Sequence, residues 1–148
     1  MEPWELSARE EIRELVAGYA HFADSGRFDD FAMLFATDGV LEVHGDPPLD
    51  GRAAIRDFVS GVGRDLATTS TVPIIRHHVS NLTIRVASPH DATGACYFLA
   101  VTEHGVDHWG RYRDRYTRTP DAGWRFAHRL ARTDGTTPGG WAAGRVRS

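Results

Sequence analysis

The chain contains one cysteine, Cys96, and no lysine at all. A single thiol excludes an internal disulfide and a multi-cysteine metal site. Without lysine there is no amine for a Schiff base and no phosphate-loop lysine. No run approaches the roughly 20 apolar residues of a membrane span. The opening Met1-Glu2-Pro3-Trp4-Glu5 is acidic and lacks the basic and apolar regions of a signal peptide. Internal repeats, low-complexity linkers, a Gly-x-Ser-x-Gly elbow, a His-Glu-x-x-His motif and a Gly-rich nucleotide loop are all missing. These absences set the expectation of a soluble, cytoplasmic protein with no cofactor and no membrane partner.

What is present fits one ordinary domain: 148 residues, 41% apolar and 25% charged. All 17 basic residues are arginine, and their placement is uneven. Residues 1–60 hold 13 acids and 5 arginines, whereas residues 61–148 hold 7 acids and 12 arginines. The later arginines alternate with other residues, as on the outer face of strands. A nucleic-acid footprint would make the domain clearly basic. The net charge of −3 argues against nucleic acid as a partner.

Ser7-Ala8-Arg9-Glu10 has the pattern of a capping box and predicts the start of a first helix. Ile12, Leu15, Val16, Tyr19 and Ala23 then recur at helical spacing, and Asp24-Ser25-Gly26 ends the run. A short helix follows, with Phe28, Phe31, Leu34 and Phe35 inward. Thr37-Asp38-Gly39 reads as a turn, residues 40–44 as a short strand, and residues 45–50 as a loop. A third helix spans about residues 52–62. From residue 72 the period changes to two, giving runs at 72–86, 94–104, 108–119 and 124–130. Short turns between them favour antiparallel pairing. Helices first and a curved antiparallel sheet after give an α+β class. Residues 134–148 read as a flexible tail behind a domain at 1–133.

Several of these residues, taken in order, carry a family resemblance. They are Tyr19 and Asp24 at the end of the first helix, Phe35-Ala36-Thr37-Asp38-Gly39, and Leu49-Asp50-Gly51 with Ile55. His77-His78-Val79-Ser80-Asn81, Gly110-Arg111-Tyr112 and Gly123-Trp124-Arg125-Phe126 complete the set. Residues 7–133 thereby resemble the SnoaL-like branch of the NTF2-like, cystatin-like α+β cone superfamily. The resemblance implies a sheet curled around the first helix, with a deep apolar pocket for a small hydrophobic ligand. Scytalone dehydratase, bile-acid 7α-dehydratase and hexachlorocyclohexane dehydrochlorinase use an Asp–His pair in such a pocket to abstract a proton. Those positions correspond to Asp24 and His77 here, and Tyr19 matches the tyrosine of the bile-acid enzyme. Where scytalone dehydratase has a second histidine and a Ser/Asn pair, this chain has Thr102, Gly110 and Tyr112.

A neutral imidazole accepts a proton near neutral pH, and a carboxylate on its other nitrogen fixes the tautomer and stabilises the imidazolium. His77 as base and Asp24 as its partner meet that requirement; their alternative roles are a structural strand histidine and a helix-ending carboxylate. His78 alternates to the other side of the strand. Tyr19, Asn81, Tyr112 and His128 are the expected substrate-binding residues. Asn81 shares parity with His77, or else holds a strand bulge. Tyr112 shares parity with His108 and Tyr116. His128 alternates with Trp124, Phe126 and Leu130 on the face expected to be buried. Arg129 and Arg132 are further candidates for a substrate carboxylate, and Cys96 packs in a strand. His104-Gly105-Val106-Asp107-His108 offers nitrogen and oxygen ligands but spans a hairpin turn expected to be exposed, so no metal site is assigned. The expected function is a cofactor-independent lyase, isomerase or cyclase. The alternatives are a ligand-binding or assembly module, and the small subunit of a ring-hydroxylating oxygenase. Apolar residues on the outer sheet face predict a homo-oligomer, either dimer or trimer.

Overall fold

The computed structural model describes residues 1–69 and 71–146. Three helices, α1 (Pro3–Asp24), α2 (Phe28–Met33) and α3 (Arg52–Thr69), pack on one six-stranded sheet. Its strands are β1 (Phe35–Val43), β2 (Leu49–Asp50), β3 (Ile75–Val86), β4 (Asp91–Thr102), β5 (Gly105–Thr119) and β6 (Gly123–Thr136). Their order across the sheet is β2-β1-β6-β5-β4-β3. The α+β class stands. The four long strands pair antiparallel as expected, but β1 runs parallel to β6, so the sheet is mixed. No helix among the described residues is long and apolar enough to cross a membrane.

Helix α1 starts four residues before the expected capping box. Pro3 occupies the first turn, where its missing N–H costs nothing, and Glu5 faces the positive end of the helix dipole. Ser7 and Glu10 therefore lie inside the helix and cap nothing. Ala8, Ile12, Leu15, Val16 and Ala20 form its buried stripe against the concave face of the sheet. At the other end Gly26 takes φ 74°, and Arg27 N–H reaches back to Phe22 O at 2.9 Å. A left-handed residue here stops the helix sharply and leaves Asp24 as its last member.

Helix α3 runs to Thr69, seven residues beyond the expected end, because Leu66 adds a buried position one more turn along. The expected turn at Thr37-Asp38-Gly39 is an irregularity inside β1. Phe35 pairs with Phe126 and Val40 with His128, so the intervening segment bulges. A Cβ on Gly39 would lie 2.9 Å from both Ala36 O and Phe35 Cβ, which explains the glycine. Strand β6 continues past the expected boundary at 133 to Thr136, and the chain then turns back on β5. There Thr137 N–H donates to Asp107 O at 2.8 Å, and Ala142 is buried. The last two residues of the expected tail, 147 and 148, lie outside the described residues.

The long strands are not regular. Single extra residues stand at Asn81–Leu82 of β3, Asp107 of β5, and Ala127 and Asp134 of β6. Each is a β-bulge, which bends its strand and increases local twist. Each also resets the alternation of inward and outward side chains.

Candidate functional site

A cavity of about 920 Å³ opens between the end of α1, the wall formed by α3, and the concave face of the sheet. Phe28 and Phe31 of α2, Leu41 and Val43 of β1, and Val59 and Leu66 of α3 supply apolar walls. Tyr19, Asp24, His77, His108, Tyr112 and Thr133 place polar groups on the α1 and sheet sides, and charged residues such as Asp46, Asp57, Arg64 and Asp65 also contribute to the lining. Trp141, Ala142 and Arg145, from the segment after β6, close one side. This size and lining suit a small or medium apolar molecule with a few polar anchors.

The end of α1 and the start of β3 meet through Asp24. Its Oδ1 lies 2.6 Å from His77 Nδ1, and its Oδ2 accepts the His77 backbone N–H at 2.8 Å. One carboxylate thus holds both the ring and the backbone of the same residue. An ionised carboxylate only accepts, so the proton on this imidazole sits on Nδ1 and Nε2 keeps its lone pair. Both side chains are largely buried but line the cavity.

Tyr19 and Tyr112 also line the cavity. Their rings meet edge-on at 5.4 Å, and Tyr112 stacks on Phe98 at 4.6 Å. Burial raises the pKa of both phenols, against a lowering effect of the neighbouring Arg129. Both therefore remain neutral hydrogen-bond donors across the ordinary pH range.

Two expected site residues lie elsewhere. Asn81 sits at the β3 bulge with φ 58° and is exposed, against a small separate depression lined by Cys96 and Arg111. Its parity with His77 fails because the bulge intervenes. His128 is displaced by the same device. The extra residue Ala127 turns the alternation over, so Phe126 and Arg129 face the core while His128 faces away and pairs with Glu42 at 2.9 Å. His78 is exposed on the side opposite His77.

The bulge brings Arg129 into the core instead, completely buried. Its Nε and Nη2 bind the two oxygens of Asp114 at 2.8 and 2.9 Å, and Tyr116 donates to the same carboxylate at 2.8 Å. The guanidinium stacks on Tyr112, Tyr19 and Phe126, with 3.9, 4.2 and 4.5 Å to the ring centroids. Burial alone would lower the Arg129 pKa, but the Asp114 charge overrides it and raises it. Arg129 is fully paired in charge and does not line the cavity, while Arg132 is exposed beside Asp134. Cys96 is buried in β4 as expected, and burial pushes its thiol up to about 11.

Several cavity-lining groups were not among the expected site residues, His44, Asp46, Asp65 and His108 among them. The segment 104–108 was read as an exposed turn, but β5 begins at Gly105 and its bulge at Asp107 turns two consecutive side chains inward. Asp107 Oδ2 lies 2.7 Å from His108 Nδ1, and the His108 ring stands 6.2 Å from that of His77. The signal was the alternation His108, Gly110, Tyr112, which already placed His108 on the inner face. No cluster of groups able to hold a metal ion occurs among the described residues.

Residues 4–130 match the SnoaL-like domain. The chain belongs to that family. Among solved structures it resembles an NTF2-like protein with a cystatin-like fold from Novosphingobium aromaticivorans, with 32% identity and a TM-score of 0.77. That match covers 90% of this chain and 86% of the other. A candidate scytalone dehydratase from the same organism is 25% identical, with a TM-score of 0.78 over 93% of this chain and 91% of that one. An uncharacterised protein of Mycobacterium tuberculosis is 28% identical over 134 residues, 85% of each chain. The SnoaL-like chain thus has the NTF2-like cone, whose neighbours include both dehydratase-type enzymes and proteins without a known function.

Proposed function

We propose that this SnoaL-like protein is a cofactor-independent lyase or isomerase that removes a proton from a small hydrophobic, oxygenated substrate. The observation that carries the reading is the Asp24–His77 contact of 2.6 Å on the wall of a mostly apolar cavity. His77 takes the proton through Nε2. Asp24 holds the ring in the required tautomer and stabilises the imidazolium that forms. Tyr19 and Tyr112, kept neutral, donate hydrogen bonds to a substrate oxygen. The similarity to a candidate scytalone dehydratase supports the same chemistry.

Proton abstraction can be read without the natural substrate. Apolar cyclic ketones such as 2-tetralone exchange the hydrogen beside the carbonyl for deuterium in D₂O, and NMR follows the loss. The protein is expected to accelerate this exchange. His77→Gln and Asp24→Asn should each lose about 10²–10⁴-fold, the usual contribution of a positioned base. Equal exchange by wild type and both variants would overturn the reading. Unchanged ketone binding with no exchange in any of the three would instead favour a ligand-binding module.

A further inference from the structure

We propose that His108 is a second catalytic group, an acid that gives a proton to the substrate oxygen while His77 takes one from carbon. The proposal rests on the reading of Asp24–His77 as the base and assigns the other half of the proton transfer. It begins with the bulge at Asp107, without which two adjacent β5 side chains could not share the inner face. Asp107 is held from three sides: by His108 Nδ1 at 2.7 Å, by Trp141 N–H at 2.6 Å and by Ala142 N–H at 3.1 Å. A carboxylate so fixed, and almost wholly buried, gives His108 one orientation and takes up its Nδ1. As with His77, only Nε2 remains for a ligand.

The two imidazoles border the same space at 6.2 Å between ring centroids and 80° between planes. Phe98 packs on both, at 6.4 Å from His77 and 5.8 Å from His108, and keeps their separation. Anchoring Trp141 and Ala142 needs only Asp107, so that task does not account for a histidine lining the cavity. Burial, reinforced by the nearby His77, lowers the His108 pKa, and Asp107 only partly opposes this. The protonated ring is therefore a stronger acid than an ordinary imidazolium. Of the other titratable groups around this space, Asp24 stands behind His77, Tyr19 and Tyr112 border it from α1 and β5, Asp65 and Arg145 from the wall, and His44, Asp46, Asp57 and Arg64 line the rest of the cavity.

In an enolisation, the lone pair of His77 Nε2 bonds the hydrogen beside the carbonyl. The C–H electrons become the C=C bond, and the carbonyl π pair moves to oxygen, which takes the proton from His108 Nε2. In an elimination the C–O electrons leave with the hydroxyl, and the same proton turns it into water. Either way His77 ends charged and His108 neutral. One proton returning through solvent from His77 to His108 restores the starting state. The active form carries one proton on the pair, so the rate rises and then falls with pH.

Two readouts test the assignment. For 2-tetralone exchange, wild type should give a bell-shaped pH profile. His108→Gln should lose about a hundred-fold and lack the alkaline limb. Asp107→Asn, which keeps the ring but removes the charge behind it, should move that limb to lower pH. Binding of 2-naphthol, a planar enol analogue, should weaken at least ten-fold in His108→Gln and little in His77→Gln. If His77→Gln is inactive while His108→Gln keeps the wild-type rate, profile and 2-naphthol affinity, the acid role falls and the base stands. If His77→Gln exchanges like wild type, the base reading itself fails and the acid role goes with it.

Discussion

The buried Arg129–Asp114 pair offers the sharpest test of how this fold is held together. Both side chains are fully shielded from solvent, joined by two hydrogen bonds of 2.8 and 2.9 Å. Removing one partner leaves the other charge in the core with no water to solvate it. Arg129→Ala and Asp114→Asn should each destabilise by about 3–5 kcal/mol. With a urea slope of about 2 kcal/mol/M, the unfolding midpoint should fall by about 1.5–2.5 M. The pair is not ideal, because Arg129 Nη1 is buried with no hydrogen-bond partner among the described residues. Replacing the whole set by apolar residues, as Arg129→Met, Asp114→Leu and Tyr116→Phe together, should therefore recover most of the loss. A triple variant at or near wild-type stability is the expected outcome, read from urea midpoints with slopes checked for constancy. Single variants within about 1 kcal/mol of wild type, or losses that simply add, would refute the argument.

Two further perturbations follow from the same physics. Burial lowers the His108 pKa, so below the ordinary imidazole value of about 6.5 the unfolded chain binds the proton first and stability falls as pH drops. His108→Gln should remove that acid loss between pH 7 and 5 in thermal melts; an unchanged slope would contradict it. Asp107 has the same sign at lower pH. Burial would raise its pKa, but the hydrogen bonds from His108, Ala142 and Trp141 prevail and lower it, so its contribution is present above the ordinary carboxylate range and disappears in stronger acid. Cys96, buried with its thiol near 11, should resist a thiol reagent at pH 8 in the native protein and react at once in denaturant. Fast native labelling would show that β4 opens.

The parts of this molecule that local periodicity controls were readable from the residues. The apolar stripe of α1, its stop at Gly26 and the four long strands all follow from spacing and turn chemistry. The joint placement of Tyr19, Asp24 and His77 came instead from the family resemblance, which implies a sheet wrapped around the end of α1. What escaped were events that break the period. One extra residue at 127 sends His128 out and Arg129 in, and nothing in the string Arg125-Phe126-Ala127-His128-Arg129 announces it. At Asn81 the bulge that the residues offered as the alternative is the one realised, and it removes the expected ligand contact. At Asp107 a bulge turns a carboxylate inward beside His108, whose parity with Tyr112 was legible but was outweighed by the expectation of an exposed turn at 104–108. The parallel pairing of β1 with β6 was invisible for a different reason: its partners are more than 80 residues apart.

The bulges have a consequence for how such a pocket changes over generations. A bulge residue is supernumerary in its ladder, so deleting the Ala127 codon would join Phe126 to His128 with every later pairing to β5 kept. Phe126 and Arg129 would still face the core. The curl that the extra residue imposes would be lost, and the wall of the cavity would flatten. Cavity shape in this cone is thus adjustable by one-codon steps at a few addresses, without rewriting the side chains that line it.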